Sequence, residues 1–442
     1  MNPPRLLPRL LFLAAASLLV SPANAQDAGG ASQDLRQELE ALKKKDAELD
    51  RRLEILAAEL ERRELGTTGV KAVQGRHGLA PAASKIYFAQ PGVSIGGYGE
   101  LLYQNYKTTT ERGAPARMPD QFDLERAVFY FGYKFNEQWV FNSEIEIEHA
   151  ASDDNGEVSA EFAYLDFLMQ DEVNFRAGLL LIPMGFLNEM HEPTTFLSAA
   201  RPMVEQVLIP TTWRENGIGV FGEAGPVTYR SYLVNGFDAA GFKATGLRGG
   251  RQNGSKAKAE NFASVTRVDV AALPGLLVGG SLYYGDSAQD LTAGKRSLDA
   301  GTTLVEGHLE WKYEGFRLRG LLVHEKVNQV RALNRALGLT GARSIGDRLD
   351  GWYVEAGYDL LAALAPQSEA SLTPFVRWES FDTQSSVPAG FQVNQANDVE
   401  ILTLGAAWQP MPQVILKLDF QNIDTVARSG VNRISAAIGY IF

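Results

Sequence analysis

The sequence predicts an all-β fold, a transmembrane antiparallel β-barrel of about 16 strands, preceded by a periplasmic α-helical coiled-coil segment. Three observations predict it. Apolar residues recur with period two from residue 92 to residue 442, the spacing that puts alternate side chains on opposite faces of a strand. The connections between these segments alternate between tight turns and long polar loops, as they do in a barrel with one end at each side of a bilayer. After residue 25 no apolar run approaches the length a membrane helix needs.

The first 25 residues form a segment of a different kind. Arg5 and Arg9 give a positive start, residues 10–20 an apolar core, and Ala23-Asn24-Ala25 an A-x-A cleavage signal. That is the pattern of an export leader, so residues 1–25 are expected to be removed. In residues 26–65 a second signal takes over. Leu35, Leu39, Leu42, Leu49, Leu53, Leu56 and Leu60 step by alternating fours and threes, with Asp46 in the one gap. A narrow leucine stripe among Glu, Lys and Arg cannot bury itself, so this heptad row calls for further copies of the chain. Residues 66–91 carry Gly, Thr, Ala and Pro81 without period and read as a linker.

From residue 92 onward each strand follows from alternation. In 121–135 the residues Ala127, Phe129, Phe131, Tyr133 and Phe135 share a face. In 139–149 an apolar row (Trp139, Phe141, Ile145, Ile147) alternates with Glu144, Glu146 and Glu148. Carboxylates at every second position cannot point into a dry core, because burying unpaired charge is prohibitive. That row must face water and the opposite row something oily. The same pattern recurs through to the last strand, where Ile434, Ala436, Ile438, Tyr440 and Phe442 alternate with Arg433, Ser435, Ala437, Gly439 and Ile441. In lipid a sheet cannot leave an edge unpaired, so it must close. At this strand number the closed sheet is wide enough for an aqueous lumen.

Strand parity assigns Arg126, Arg230, Arg267, Arg317, Arg319, Arg377 and Arg433 to the lumen, together with Glu144, Glu146, Glu148, Glu306 and Glu310. Fixed charges along a narrow wall bias which ion enters. The longest segment without strand period, 183–215, is too apolar for disorder. It is expected to fold into the lumen and narrow it, with Met184, Phe186, Glu189, Arg201 and Arg214 at the constriction.

Composition excludes other classes. The chain has no cysteine, hence no disulfide and no thiolate metal site, and its net charge of −11 argues against a nucleic-acid partner. His191-Glu192 begins like a zinc-protease helix, but position 195 is threonine and Pro193 interrupts the segment. No metal, cofactor or catalytic group is expected. The alternatives are a barrel hydrolase and a structural tether built on the coiled coil.

Residues 122–127 (Phe-Asp-Leu-Glu-Arg-Ala), the loop 183–215 and its exit Trp213-Arg214-Glu215-Asn216-Gly217-Ile218-Gly219-Val220 resemble the phosphate-selective porins of Gram-negative outer membranes. The resemblance covers residues 92–442. It implies a trimeric pore of about sixteen strands in outer-membrane lipid, an inward-folded third loop and an arginine and lysine ladder that guides anions. This chain departs from the ladder: lysine is sparse, and Glu144, Glu146 and Glu148 oppose anion flow. Taken together, a homotrimeric, weakly anion-selective channel for small inorganic or organic ions, phosphate-like ones among them, is the expectation.

Overall fold

The computed structural model describes residues 39–45, 47–49, 51–53, 72, 74–150 and 156–442. The leader expected at 1–25, and Leu35, Asp46, Leu56 and Leu60 of the heptad row, lie outside the described residues. The chain divides into two units, Met1–Thr68 and Gly69–Phe442. Within the first, residues 39–45, 47–49 and 51–53 are helical. Leu39, Leu42, Leu49 and Leu53 are exposed along that helix, and Lys43–Glu40 and Arg52–Glu48 pair along its surface.

The second unit is built on strands β1 (Gly92–Tyr106), β2 (Gln121–Lys134), β3 (Trp139–Glu148), β4 (Val158–Gln170), β5 (Val173–Leu181), β6 (Arg214–Ala224), β7 (Val227–Asn235), β8 (Phe262–Leu273) and β9 (Leu276–Gly285). After a small hairpin of β10 (Thr292–Ala293) and β11 (Arg296–Ser297) come β12 (Thr302–Tyr313), β13 (Phe316–Val327), β14 (Arg348–Tyr358), β15 (Ser371–Ser386), β16 (Asp398–Met411), β17 (Val414–Thr425) and β18 (Arg433–Ile441). All but β10 and β11 form one closed barrel in which each strand pairs antiparallel with its sequence neighbour, and β1 pairs with β18 to close the ring. The wall therefore has sixteen strands. Tight turns gather at the end that carries Phe442, called here the turn end; long connections gather at the opposite, loop end.

Turn chemistry explains the tight end. Glu314 and Gly315 both have positive φ, the backbone that matches strand twist in a two-residue hairpin. The Asn136 carboxamide oxygen accepts the backbone N–H groups of Gln138 (2.9 Å) and Trp139 (2.8 Å), closing the β2–β3 turn. Closure at the seam has its own device. Gly97 and Gly99 on β1 lie under the rings of Phe442 and Tyr440, and a Cβ at either would come within 2.6 Å of ring carbon. The two aromatics cover backbone that no side chain of β1 could.

The barrel is apolar outside and polar inside, which inverts a soluble protein. Ile434, Ile438, Tyr440 and Phe442 face outward and exposed, while Ser435, Ala437 and Ile441 face inward and buried. The rings of Trp139, Phe167 and Phe175 follow one another across the outer surface of three strands, a belt of the kind found at a bilayer interface.

The lumen is filled to a degree that alternation alone does not reveal. The long β5–β6 connection lies inside the barrel, with Met184, Phe186, Leu187, Val204, Leu208, Ile209 and Trp213 in one apolar cluster with inward residues of the wall. The 66–91 stretch, expected as a linker, also differs. Residues 79–87 are buried in the bore against β1–β5, and the boundary between the two units falls at Thr68/Gly69. The physical reason is size. Ala80, Ala82 and Ala83 let the backbone approach the wall closely, where its amides pair with wall and loop. Asp359, just past the end of β14, caps the short helix Leu360–Leu364 by accepting the Leu361 N–H.

Candidate functional site: the filled lumen

The β5–β6 connection is closed at its neck. The Asn188 side chain donates to the Ile182 (2.6 Å) and Trp213 (2.9 Å) carbonyls and accepts the Trp213 N–H (2.7 Å). Trp213 is fully buried and stacks on Phe237 at 4.3 Å between centroids. From this neck the loop crosses the bore and meets the wall on the far side. The Thr195 carbonyl accepts from Arg317 (2.7 Å) and Arg319 (3.2 Å) on β13. Arg377 on β15 donates to Ser198, the Ala199 N–H donates to Asp419 on β17 (2.6 Å), and the Val204 N–H donates to Glu379 (3.2 Å). Lys417 sits 3.4 Å from the centre of the Phe196 ring. On the near side His191 meets Glu144 of β3 at 3.0 Å. The inward charges thus serve first as sockets for the loop.

Most guanidinium groups inside the barrel are matched by a carboxylate. Arg377 bonds Glu355 (3.2 Å) and Glu379 (2.9 Å). Arg319 and Arg317 share Glu310 at 2.6 and 3.3 Å. Arg230 lies between Glu189 (3.2 Å) and Asp269 (2.7 Å), and Arg267 pairs with the same Asp269 at 2.8 Å. His308 joins Asp269 (2.8 Å) to Glu306 (2.5 Å). Arg126 contacts Glu125 at 2.8 Å but stands 3.9 and 3.7 Å from Glu100 and Glu146, spacings that suit an intervening water.

Of the residues expected to line the lumen, Arg126, Arg230, Arg267, Arg319, Arg377, Glu144, Glu146 and Glu306 are on the inner face and buried. Arg317, Arg433, Glu148 and Glu310 are on the same face and partly exposed. Of those expected in the constriction loop, Met184 and Phe186 belong to its apolar core, Glu189 and Arg201 are buried beside charged neighbours, and Arg214 begins β6, where it bonds Glu161 and Ser159. Sequence reasoning missed Glu100, Glu161, Asp166, Arg176, Asp269 and Glu192. Parity read to the turn end would have found Asp166, Arg176 and Asp269. Glu161 faces inward because a bulge between Glu144 and Ile145 shifts the β3–β4 register, which no single-sequence pattern reveals.

A cavity of about 260 Å³ remains between residues 75–79, the loop and the wall of β6–β9, lined among others by His77, Phe186, Glu189, Arg230 and Asp269. Burial and the neighbouring Arg176, Arg76 and Arg230 hold the His77 imidazole down to about 3, so it is neutral at physiological pH.

No protein-family model matches the chain. It is 37% identical over 377 residues to an uncharacterized protein of Aquifex aeolicus (strain VF5), and the match covers 83% of each chain. The chain belongs to the family of that protein. The fold of this chain is similar to that of solved porins. The Salmonella typhi OmpF complex with Daunomycin superposes with a TM-score of 0.52 at 11% identity, over 79% of this chain and 97% of that one. The anion-selective porin from Comamonas acidovorans gives 0.47 at 11% identity, over 79% and 99%. At 11% identity the likeness to OmpF shows a porin-type barrel fold for this chain and leaves the permeant open.

Proposed function

We propose that this chain is an outer-membrane porin, exported by its first 25 residues, that passes small hydrophilic ions by passive diffusion. The observation that carries the reading is the closed sixteen-stranded wall, apolar outside and charged inside. Only a lipid exterior makes that wall stable, and only a hydrated interior accommodates its charges. The loop 183–215 supplies the constriction.

Selectivity follows from the pairing. With Arg230, Arg267, Arg317, Arg319 and Arg377 each held against a carboxylate, the ladder presents little net field to a passing ion. Rings of one sign are what select strongly. Weak selectivity is therefore the reading, and a tight phosphate site is not; its anionic sign, with phosphate-like anions among the permeants, rests on the resemblance to phosphate-selective porins. Assembly as a homotrimer rests on the porin-type barrel and on the exposed leucine row of the N-terminal helix, which a coiled coil of several chains would cover.

Liposome swelling tests the function. Reconstituted protein should admit small sugars without any energy source, and deletion of residues 189–200 should raise the size limit. A barrel that still assembles but shows the same limit after the deletion would place the constriction elsewhere. Mass measurement in mild detergent should give three copies; a monomer both with and without residues 33–64 would remove the trimer.

A further inference from the structure

Within the segment 75–89, residues 79, 80 and 82–87 have the burial of a core element, and the whole has the sequence of a tether. Its first turn is tight. Leu79 donates to the Arg76 carbonyl at 3.0 Å, and His77 and Gly78 both have positive φ. Gly78 is pressed against the wall, since a Cβ there would lie 2.9 Å from the Arg230 guanidinium carbon and 3.1 Å from a Glu189 oxygen. Only glycine fits both the backbone and the space.

Beyond the turn, the backbone pairs with groups far away in sequence. The consecutive N–H groups of Ala82 and Ala83 donate to the two carboxylate oxygens of Glu192 at 3.1 and 2.9 Å. Asn142 on β3 donates to the Ala83 carbonyl at 2.9 Å. Lys85 and Lys134 reach the carbonyls of Ile95 (2.8 Å) and Ala89 (3.1 Å). Tyr87 donates to Asp166 at 2.7 Å and accepts from Arg176 at 3.1 Å, while Arg176 and Asp166 are themselves paired at 2.8 Å. Ile86 lies over Gly132 of β2, where a Cβ would meet the Ile86 Cβ at 2.8 Å.

A peptide that merely led out of a barrel would leave its amides to water. This one pairs its backbone with β2, β3 and the constriction loop, and its Lys85 and Tyr87 side chains with β1 and β4, across the turn-end mouth of the bore.

We propose that residues 75–89 are a lumenal plug that closes the β1–β5 side of the turn-end mouth, and that Glu192 is the latch joining it to the constriction loop. The inference rests on the channel reading and deepens it. Solute leaves the barrel past two elements in series, and the second belongs to the N-terminal segment. A cavity beside Arg230 and His77 borders the plug.

Two readouts test it, one independent of conduction. The chain has no cysteine, so Val140→Cys provides a single thiol on the inner face of β3, at a fully buried position whose side chain makes no hydrogen bond to the plug. In the intact mature chain it should resist a membrane-impermeant maleimide, and in a chain lacking residues 26–90 it should react. Single-channel conductance should rise on the order of twofold on that truncation, as the open cross-section grows. Glu192→Ala combined with Tyr87→Phe cuts latch and clasp at full chain length. It should move both readouts in the same direction, which covers a truncation that fails to fold. Equal labelling with and without the segment, or conductance unchanged by truncation in a folded, conducting barrel, would overturn the plug. Labelling that appears only on truncation, in barrels that never conduct, would support the plug and remove the channel reading instead.

Discussion

Arg377 is where the account exposes itself most sharply. Its side chain is fully buried, holds Glu355 and Glu379 on the wall, and donates to Ser198 on the loop. Glu379 in turn accepts the Val204 N–H, so one cation organises both anchor points of the stretch 198–204. Arg377→Ala strands two carboxylates that are themselves 2% and 0% exposed. Removing one partner of a buried ion pair costs about 3–5 kcal/mol. The lower end applies here, because water in the bore can reach the vacated space. Arg377→Lys keeps the charge but loses the two-pronged geometry, and about 1–2 kcal/mol is expected for it. The loss falls on the loop, since the wall keeps its ladder of backbone hydrogen bonds on both sides of β15. Thermal unfolding in detergent should therefore show an early loss of near-ultraviolet signal with the β-sheet signal retained. Single channels of Arg377→Ala should be larger and noisier than wild type. A cycle with Ser198→Ala should show strong coupling between the two sites. Refutation is equally concrete: Arg377→Ala within about 0.5 kcal/mol of wild type, with unchanged conductance, would mean that the loop is held by something else.

At the seam, replacing Phe442 with aspartate should cut membrane insertion sharply, because it uncovers Gly97 and puts charge at the lipid face, whereas Ala437→Ser on the inner face should insert normally. Equal insertion in a folding assay would reverse the assignment of faces. Neutralising Arg317 and Arg319 together should move the reversal potential toward cations, and neutralising Glu144 and Glu146 should move it toward anions. The first pair should also raise conductance, because both guanidiniums hold the Thr195 carbonyl. The latch should respond to pH. Burial pushes the Glu192 carboxyl up to about 7, against the pull of the Ala83 and Ala82 N–H groups and of His191, with Glu144 adding to the rise. A carboxyl raised in the docked state favours docking when protonated. Docking is therefore strongest below about 4.5, weakens as pH rises to about 7, and is level above that. Conductance should accordingly be higher at pH 8 than at pH 5, and Glu192→Gln should flatten the difference.

The wall was legible in the sequence because lipid enforces it. A strand that must be oily on one side and wet on the other writes period two into its residues, and Glu144, Glu146 and Glu148 against Ile145 and Ile147 leave one orientation open. The terminal strand could be read to the residue for the same reason. The interior was legible only as a set of charges, because their partners depend on register. Arg230 meets Asp269 across β7 and β8, and Arg377 meets Glu355 across β14 and β15. These pairings join strands whose relative shift is set by turns and bulges. The plug was illegible for a different reason: Ala80, Ala82, Ala83 and Ala89 form no periodic pattern, and small residues that fit a crowded bore look the same as small residues in a tether. Glu192 carried a signal, one of a few carboxylates in an apolar loop, but its partners are backbone amides about a hundred residues away, and backbone amides leave no mark in a sequence.

The central claim is that this barrel conducts passively through a bore narrowed from within, and planar-bilayer recording of the purified mature chain tests it most directly. The channel should give discrete, ohmic steps that scale with salt concentration, need no energy source, and show a small reversal potential of anionic sign in a salt gradient. A folded barrel that gives no steps in either its full-length or its loop-deleted form would contradict it.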